Sequence, residues 1–259
     1  MADRVRVLTL NLRNLADRWD ERVSLLLSEF AVLQPDLCGL QEVVYPMQQD
    51  RLLGASGAAS YQIRRGWAGR PEYGSSILVR DGAAALDPRA DGPDPLQPAD
   101  RLDLEHNRCA VRAEMRLPSG SSLRFVTTHL HHLPADEDVR QRQTTRLVAW
   151  LEQLPPMATI VTGDFNAEPD EPAYATMLSA GFRSAFAEAN GQEPAVTWPS
   201  GLQALAPDVE GDPGCLDYVW VRGELRSRAA RLCFDRPAVD DPGLFPSDHF
   251  GVLAELEAG

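Results

Sequence analysis

A chain of 259 residues with 44% hydrophobic and 24% charged residues is long enough to bury a large core, and its composition excludes a disordered or fibrous protein. A net charge of −13 argues against binding nucleic acid through a broad basic surface, because that mode needs many cations to neutralise phosphates. All 25 basic residues are arginine, which excludes a P-loop lysine, a lysine Schiff base and a Ser-Lys dyad.

The apolar run Arg4–Leu10 predicts a buried strand. Asp17–Leu33 follows with Trp19, Val23, Leu26, Leu27 and Phe30 at helical spacing, closed by Pro35. Asp36–Gln41 reads as the next strand and ends at Glu42. The Arg-rich stretch around Trp67, with Arg64, Arg65 and Arg70, reads as a loop. Strands are then expected at Tyr73–Val79, Cys109–Leu117 and Leu123–Thr128, the last two joined as a hairpin by the turn signal PSGSS at 118–122. A helix over Glu137–Gln153, a strand over Ala158–Thr162 and a helix over Pro172–Ala180 come next. The final strands are Leu216–Val221, Ala229–Phe234 and Phe250–Leu256. Two stretches rich in Pro, Gly and Asp, Asp81–Arg101 and Pro199–Gly214, read as loops within a single domain spanning 1–259. The alternation of strands and helices is that of an α/β protein, and the hairpin makes its sheet mixed.

The opening apolar run is interrupted too soon for a signal peptide, and no segment reaches the roughly 20 apolar residues of a membrane span. Cys38, Cys109, Cys215 and Cys233 stand isolated, as reduced, partly buried thiols of a cytoplasmic protein would. No stable membrane insertion and no protein partner are expected.

The polar residues fall in a pattern. Strand-like runs repeatedly end in a short acidic, amide or imidazole cluster: VLTLNLR, LCGLQE, FVTTHLHH, TIVTGDFN, CLDYVWV and PSDHFGV. Catalytic groups of α/β proteins commonly sit at strand ends, so these clusters are candidates for one site. The inventory is rich in hard oxygen donors, namely Glu42, Asp164, Asp217 and Asp248 with the amides Asn11 and Asn166, beside His129 and His249. Such donors suit Mg²⁺ or Mn²⁺ far better than Zn²⁺, and a hard cation held by carboxylates is a usual partner of phosphate chemistry.

These six motifs, in this order, resemble the endonuclease/exonuclease/phosphatase superfamily over nearly the whole chain. The resemblance implies a four-layer α/β/β/α sandwich of two mixed β-sheets with outer helices. It implies that Glu42 is the principal metal ligand, assisted by Asn11 and Asp248. Asp164 would deprotonate the attacking water, Asn166 would bind a phosphate oxygen, and Asp217 would orient His249 towards the phosphate. His129 resembles the second histidine of the deoxyribonuclease and sphingomyelinase branches, with its supporting Glu expected near Glu72 or Tyr73. Arg108 falls where relatives carry a phosphate-binding Arg or Asn. Arg13 departs from the pattern of abasic-site enzymes, which carry an acidic residue there.

His131 and His132 extend His129 into HLHH, but Leu133 and Pro134 follow where a zinc hydrolase would place further ligands, so both read as surface loop residues; His106 reads as structural or exposed. Trp198 is a candidate for stacking on a substrate ring or lipid. The expected activity is hydrolysis of a phosphodiester or phosphomonoester of a small molecule or lipid headgroup, with an endo- or exonuclease as the alternative. A basic groove several nucleotides long would favour the nuclease, and a closed acidic-rimmed pocket would count against it.

Overall fold

A computed structural model describes residues 2–55, 60–87, 100–200 and 212–259. In chain order the strands are β1 Asp3–Asn11, β2 Leu37–Val44, β3 Tyr61–Arg70, β4 Tyr73–Arg80, β5 Ala85–Leu86, β6 Arg101–Leu104, β7 Arg108–Arg116, β8 Ser122–His129, β9 Ala158–Asp164, β10 Arg183–Ser184, β11 Asp217–Arg222, β12 Leu225–Cys233 and β13 Gly251–Ala258. The helices are α1 Trp19–Leu33, α2 Asp50–Ala55, α3 Glu137–Glu152, α4 Pro172–Ser179 and α5 Ala185–Asn190, with a wide helical turn over Tyr45–Gln49 before α2.

The strands form two mixed sheets, one ordered β12-β13-β1-β2-β4-β3 and the other β10-β11-β9-β8-β7-β5, with β6 also paired to β7. Among the described residues, only β1–β2 and β8–β9 are parallel pairs. Parallel neighbours need a crossover, and α1 and α3 supply it. Each crossover helix lies on the outer face of its sheet because the inner faces cover one another. Three apolar layers result. Val7, Leu37 and Ile77 meet Val111, Phe125, Ile160 and Val219 between the sheets. Leu26, Phe30 and Leu33 of α1 cover Leu8, Leu10 and Leu40. Leu147 and Leu151 of α3, with Met177 of α4, cover Val126, Val161 and Trp220. This is the expected four-layer sandwich, and strands buried on both faces explain why β1, β2 and β9 read as unbroken apolar runs.

The sheets approach closely at Gly39, where a Cβ would lie 2.0 Å from Thr162 Oγ1. Helix α1 ends as the sequence predicts: Gln34 adopts φ 39°, its N–H bonds Phe30 O, and Pro35 follows. The stretch around Trp67 is corrected. Arg64, Arg65 and Arg70 belong to β3, which pairs antiparallel with β4 at the edge of its sheet. An edge strand tolerates this polar sequence because long Arg stems pack flat, as Arg65 does over the Tyr45 ring at 4.8 Å. Asp81–Arg101 likewise holds β5 and the first residue of β6. The rest of that stretch from 88 to 99, and 201–211 of the second predicted loop, lie outside the described residues. All four cysteines are buried and unpaired, and no described helix is long and apolar enough to cross a membrane.

Candidate active site

Strand register brings distant residues side by side. His129 at the end of β8 lies opposite Asp164 at the end of β9, and Asp164 lies opposite Asp217 at the start of β11. The strands approach closely at Gly163, where a Cβ would lie 2.2 Å from Thr128 O. In the other sheet Asn11 pairs with Gln41, next to Glu42. Glu42 adopts φ 53° within a register shift of β2 against β4 between Leu40 and Val43. Such a bulge turns a side chain out of the pleat, and Glu42 lines the cavity between the sheet ends.

His249 and Asp217 form a buried pair, Nδ1 to Oδ2, at 2.9 Å. Thr197 Oγ1 donates to the same carboxylate oxygen at 2.7 Å and accepts from the Leu216 and Asp217 N–H groups, which fixes the acid from behind. Burial opposes a charge on His249, but Asp217, Asp164 and Asp248 outweigh it and raise its pKa to about 10. His249 is an imidazolium at neutral pH. Asp164, 1% exposed, is pushed well above the ordinary carboxylate range by burial, opposed by the His249 cation and reinforced by Asp217. Its Oδ2 accepts from Asn11 Nδ2 and its Oδ1 from the Asn166 N–H, both at 2.9 Å.

Among the described residues, no carboxylate stands on His129 Nδ1. Arg108 Nη1 stands there at 3.0 Å. Burial, and then the charges of Arg108, His249 and His132, hold its pKa well below the ordinary value, so His129 is neutral. Its Nε2 lies 3.5 Å from Asp164 Oδ2, and His249 Nε2 lies 3.7 Å from the same oxygen.

On the other side of Asp164, Asn14 Nδ2 donates to Glu42 Oε2 at 2.7 Å, and Asn11 Nδ2 stands 3.4 Å from Oε1. Asn11 Oδ1 accepts from the Arg13 N–H at 2.9 Å. Arg13 Nε bonds Asp17 at 2.9 Å and stands 3.5 Å from Asp248. Beneath this corner lies Arg22, fully buried. Its guanidinium donates to the carbonyls of Leu12, Arg13, Asn14, Ala16, Asp17 and Pro246 and lies over the Trp19 ring at 5.0 Å. Burial lowers its pKa to about 10, so it keeps its charge. Arg13, Asn14 and Asp17 all have positive φ, a backbone path that carries a conformational cost, and Arg22 ties it to the loop bearing Asp248.

The structure therefore gathers the predicted residues. Glu42, Asp164, Asp248 and His249 line a cavity of about 560 Å³, with His129, Asn166, Arg108 and Trp198 in the same wall. Asn11 and Asp217 stand behind it, bonded to Asp164 and His249. The Trp198 ring centroid is 6.4 Å from that of His249. Glu72 is exposed, and the partner of His129 is Arg108. His131 is also corrected: it is buried, its Nε2 lies 2.8 Å from Asp136 Oδ2, and its ring stacks on His106 at 4.3 Å. The turn after β8 passes under α3, where Gln143 accepts from the His131 N–H. Asn14, Arg22 and Thr197, none of them predicted, bond the predicted residues or the loops that carry them. An arginine on the apolar stripe of α1, between Trp19 and Leu26, was the signal for Arg22; nothing local marks Thr197.

Among the described residues, Asp164, Asp217 and His249 bring ligand atoms within 4.8 Å of one another and could hold a metal. The model for the family described as Endonuclease/Exonuclease/phosphatase matches residues 8–249. Nocturnin of Drosophila melanogaster is 26% identical over 285 residues, covering 92% of this chain and 42% of the relative, so the chain spans under half of that protein. The human Nocturnin catalytic domain with a bound sulfate anion superposes with a TM-score of 0.75 at 24% identity, covering 99% and 94% of the two chains. D. rerio TDP2 complexed with single strand DNA product superposes with a TM-score of 0.75 at 18% identity, covering 98% of each.

Proposed function

The chain belongs to the endonuclease/exonuclease/phosphatase family, whose enzymes hydrolyse phosphoester bonds, and we propose that it is a Mg²⁺- or Mn²⁺-dependent phosphoesterase acting on a small molecule or lipid headgroup. The observation that carries this reading is the juxtaposition of Asp164, a buried carboxylate with a raised pKa, with the His249–Asp217 ion pair in one cavity. A base whose pKa is lifted towards neutrality can accept a proton from water at physiological pH.

Two donor sets compete for the cation. In the Asp164, Asp217 and His249 set, the His249 proton already answers the Asp217 charge. Glu42 and Asp248 offer hard oxygens on the other side of the same cavity, and only Glu42 is held by neutral amide donors alone. Glu42 and Asp248 are the better fit for a hard ion and would hold it, with Asn11 beside them. A bound Mg²⁺ or Mn²⁺ supplies positive charge to the phosphoryl oxygens. Asp164 orients a water through Oδ2 and takes its proton as the water oxygen attacks phosphorus, while the opposite P–O bond breaks and its electron pair departs on the leaving oxygen. His249, held by Asp217, donates from Nε2 to a phosphoryl oxygen as negative charge spreads. His129 and Asn166 flank the same oxygens.

The cavity volume suits a small molecule, and Glu168, Glu171 and Asp212 in its wall offset Arg13, Arg108 and Arg140 there, where a nucleic-acid groove would carry a surplus of base. The four buried thiols support a reducing, cytoplasmic compartment. The test is hydrolysis of bis-p-nitrophenyl phosphate, p-nitrophenyl phosphate, sphingomyelin, inositol phosphates, single-stranded DNA and RNA with Mg²⁺, Mn²⁺ or EDTA. Turnover of a small phosphoester with metal, lost in EDTA, is expected. Turnover confined to DNA or RNA would transfer the assignment to a nuclease.

A further inference from the structure

We propose that Arg108 is a positioning residue that locks His129 as a neutral imidazole with its proton on Nε2, so that this histidine serves the phosphoryl group as a fixed hydrogen-bond donor. The inference rests on the phosphoesterase reading of the cavity and assigns Arg108 a role other than direct phosphate binding.

Donors and acceptors around Nδ1 fix the tautomer. A guanidinium carries only N–H donors. Arg108 Nη1 lies 3.0 Å from His129 Nδ1, and Nη2 of the same group lies 3.2 Å from His132 Nδ1. Both imidazole nitrogens must present lone pairs to it. In a neutral ring with Nδ1 accepting, the proton sits on Nε2. That nitrogen points towards Asp164 Oδ2 at 3.5 Å, into the cavity. His129 is 6% exposed, so water cannot readily replace Arg108 on Nδ1.

The placement follows from the fold. Arg108 opens β7 directly after a turn in which His106 and Asn107 both take positive φ, and its N–H bonds Glu105 O. Ala110 pairs with Thr128 across the β7–β8 hairpin, which puts Arg108 one residue past the position opposite His129 at the end of the neighbouring strand, near enough for the long arginine side chain to reach the imidazole. The groups facing His129 are Arg108 from β7, His132 from the turn after β8, His249 from the loop before β13 and Asp164 from β9.

The two histidines therefore divide their work. His249, supported by a carboxylate on Nδ1, brings a positive charge to the phosphoryl group. His129, supported by a cation on Nδ1, brings a dipole and no charge. Neither exposes a basic lone pair on Nε2, which leaves Asp164 as the base between two donors.

The test uses the full chain loaded with Mg²⁺, ¹⁵N-labelled at histidine, with long-range ¹H–¹⁵N spectra assigned by H129Q. Wild type should show an unprotonated Nδ1 and a protonated Nε2 on His129, and R108K should keep this pattern. R108E, which presents an acceptor, should move the proton to Nδ1 and lower kcat on bis-p-nitrophenyl phosphate about 10²-fold, with KM changing much less. R108K should recover a large part of that loss. Circular dichroism confirms that each variant is folded. A protonated Nδ1 in wild type, an unchanged tautomer in R108E, or a rise in KM with kcat unchanged would overturn the proposal. If wild type hydrolyses none of the phosphoesters, the reading of the site fails while the spectra still decide the Arg108–His129 geometry.

Discussion

Replacing Asp217 by Asn removes a charge from the His249 pair with little change of shape. Asp217 Oδ2 accepts from Thr197 Oγ1 at 2.7 Å and meets His249 Nδ1 at 2.9 Å, and the Asn carbonyl can keep both bonds. Unit charges centred about 4 Å apart at an effective dielectric near 20 interact by about 4 kcal/mol. That equals about 3 pKa units, which brings His249 from about 10 to about 7. At pH 8.5 roughly one D217N molecule in thirty would still carry the imidazolium, against nearly all in wild type. The kcat/KM for bis-p-nitrophenyl phosphate with Mg²⁺, followed from about pH 5.5 to 10, should show an alkaline limb displaced downward by about 3 units. The deficit of the variant should be about 30-fold at pH 8.5 and small near pH 6. Stability carries the same signature. The folded pKa of His249 lies above its ordinary value of 6.5, so its contribution is complete below about pH 6.5 and is lost as pH rises through about 10. The urea midpoint of wild type should fall over that interval, and that of D217N should fall less. An alkaline limb at the same pH in both proteins would refute the electrostatic reasoning.

Asp164→Asn should lower kcat by about 10²–10⁴-fold without lowering the thermal midpoint at pH 8. Its folded pKa is raised above 3.8 by burial, so the native carboxylate loses stability as pH rises from 3.8 through that raised value; activity against pH and calorimetry check both halves. Glu42→Gln should weaken Mn²⁺ binding at least about tenfold, read by electron paramagnetic resonance, while the circular dichroism spectrum stays unchanged. Arg22→Met takes the guanidinium from six carbonyls, of which only that of Asn14 keeps another side-chain donor among the described residues, Gln48 Nε2 at 2.6 Å, and should cost about 3–5 kcal/mol in urea denaturation, with weaker Mn²⁺ binding than Arg22→Lys.

Local sequence was enough for the elements that bury apolar surface. Periodicity marked α1 within two residues of its observed start and at its observed end, and unbroken apolar runs marked β1, β2 and β9, because strands covered on both faces admit few polar residues. It failed at β3, whose arginines read as a loop, since an edge strand answers to its partner β4 rather than to its own pattern. The chemistry of the strand-end residues was also legible: Glu42, Asp164, Asp217, Asp248 and His249 are hard or basic donors wherever they fall. What each one does was decided elsewhere. Asp164 and Glu42 are both carboxylates after an apolar run. Asp164 is buried among aligned strands, so its charge is disfavoured and it is suited to be a base, whereas Glu42 is turned by a bulge towards the cavity, where a cation would meet its charge. His129 and His249 are likewise the same residue type. One meets Arg108 and stays neutral, and the other meets Asp217 and stays charged. Ionisation and tautomer depend on electrostatics across a few ångströms between residues tens to hundreds of positions apart, and only the packing of the two sheets sets those distances.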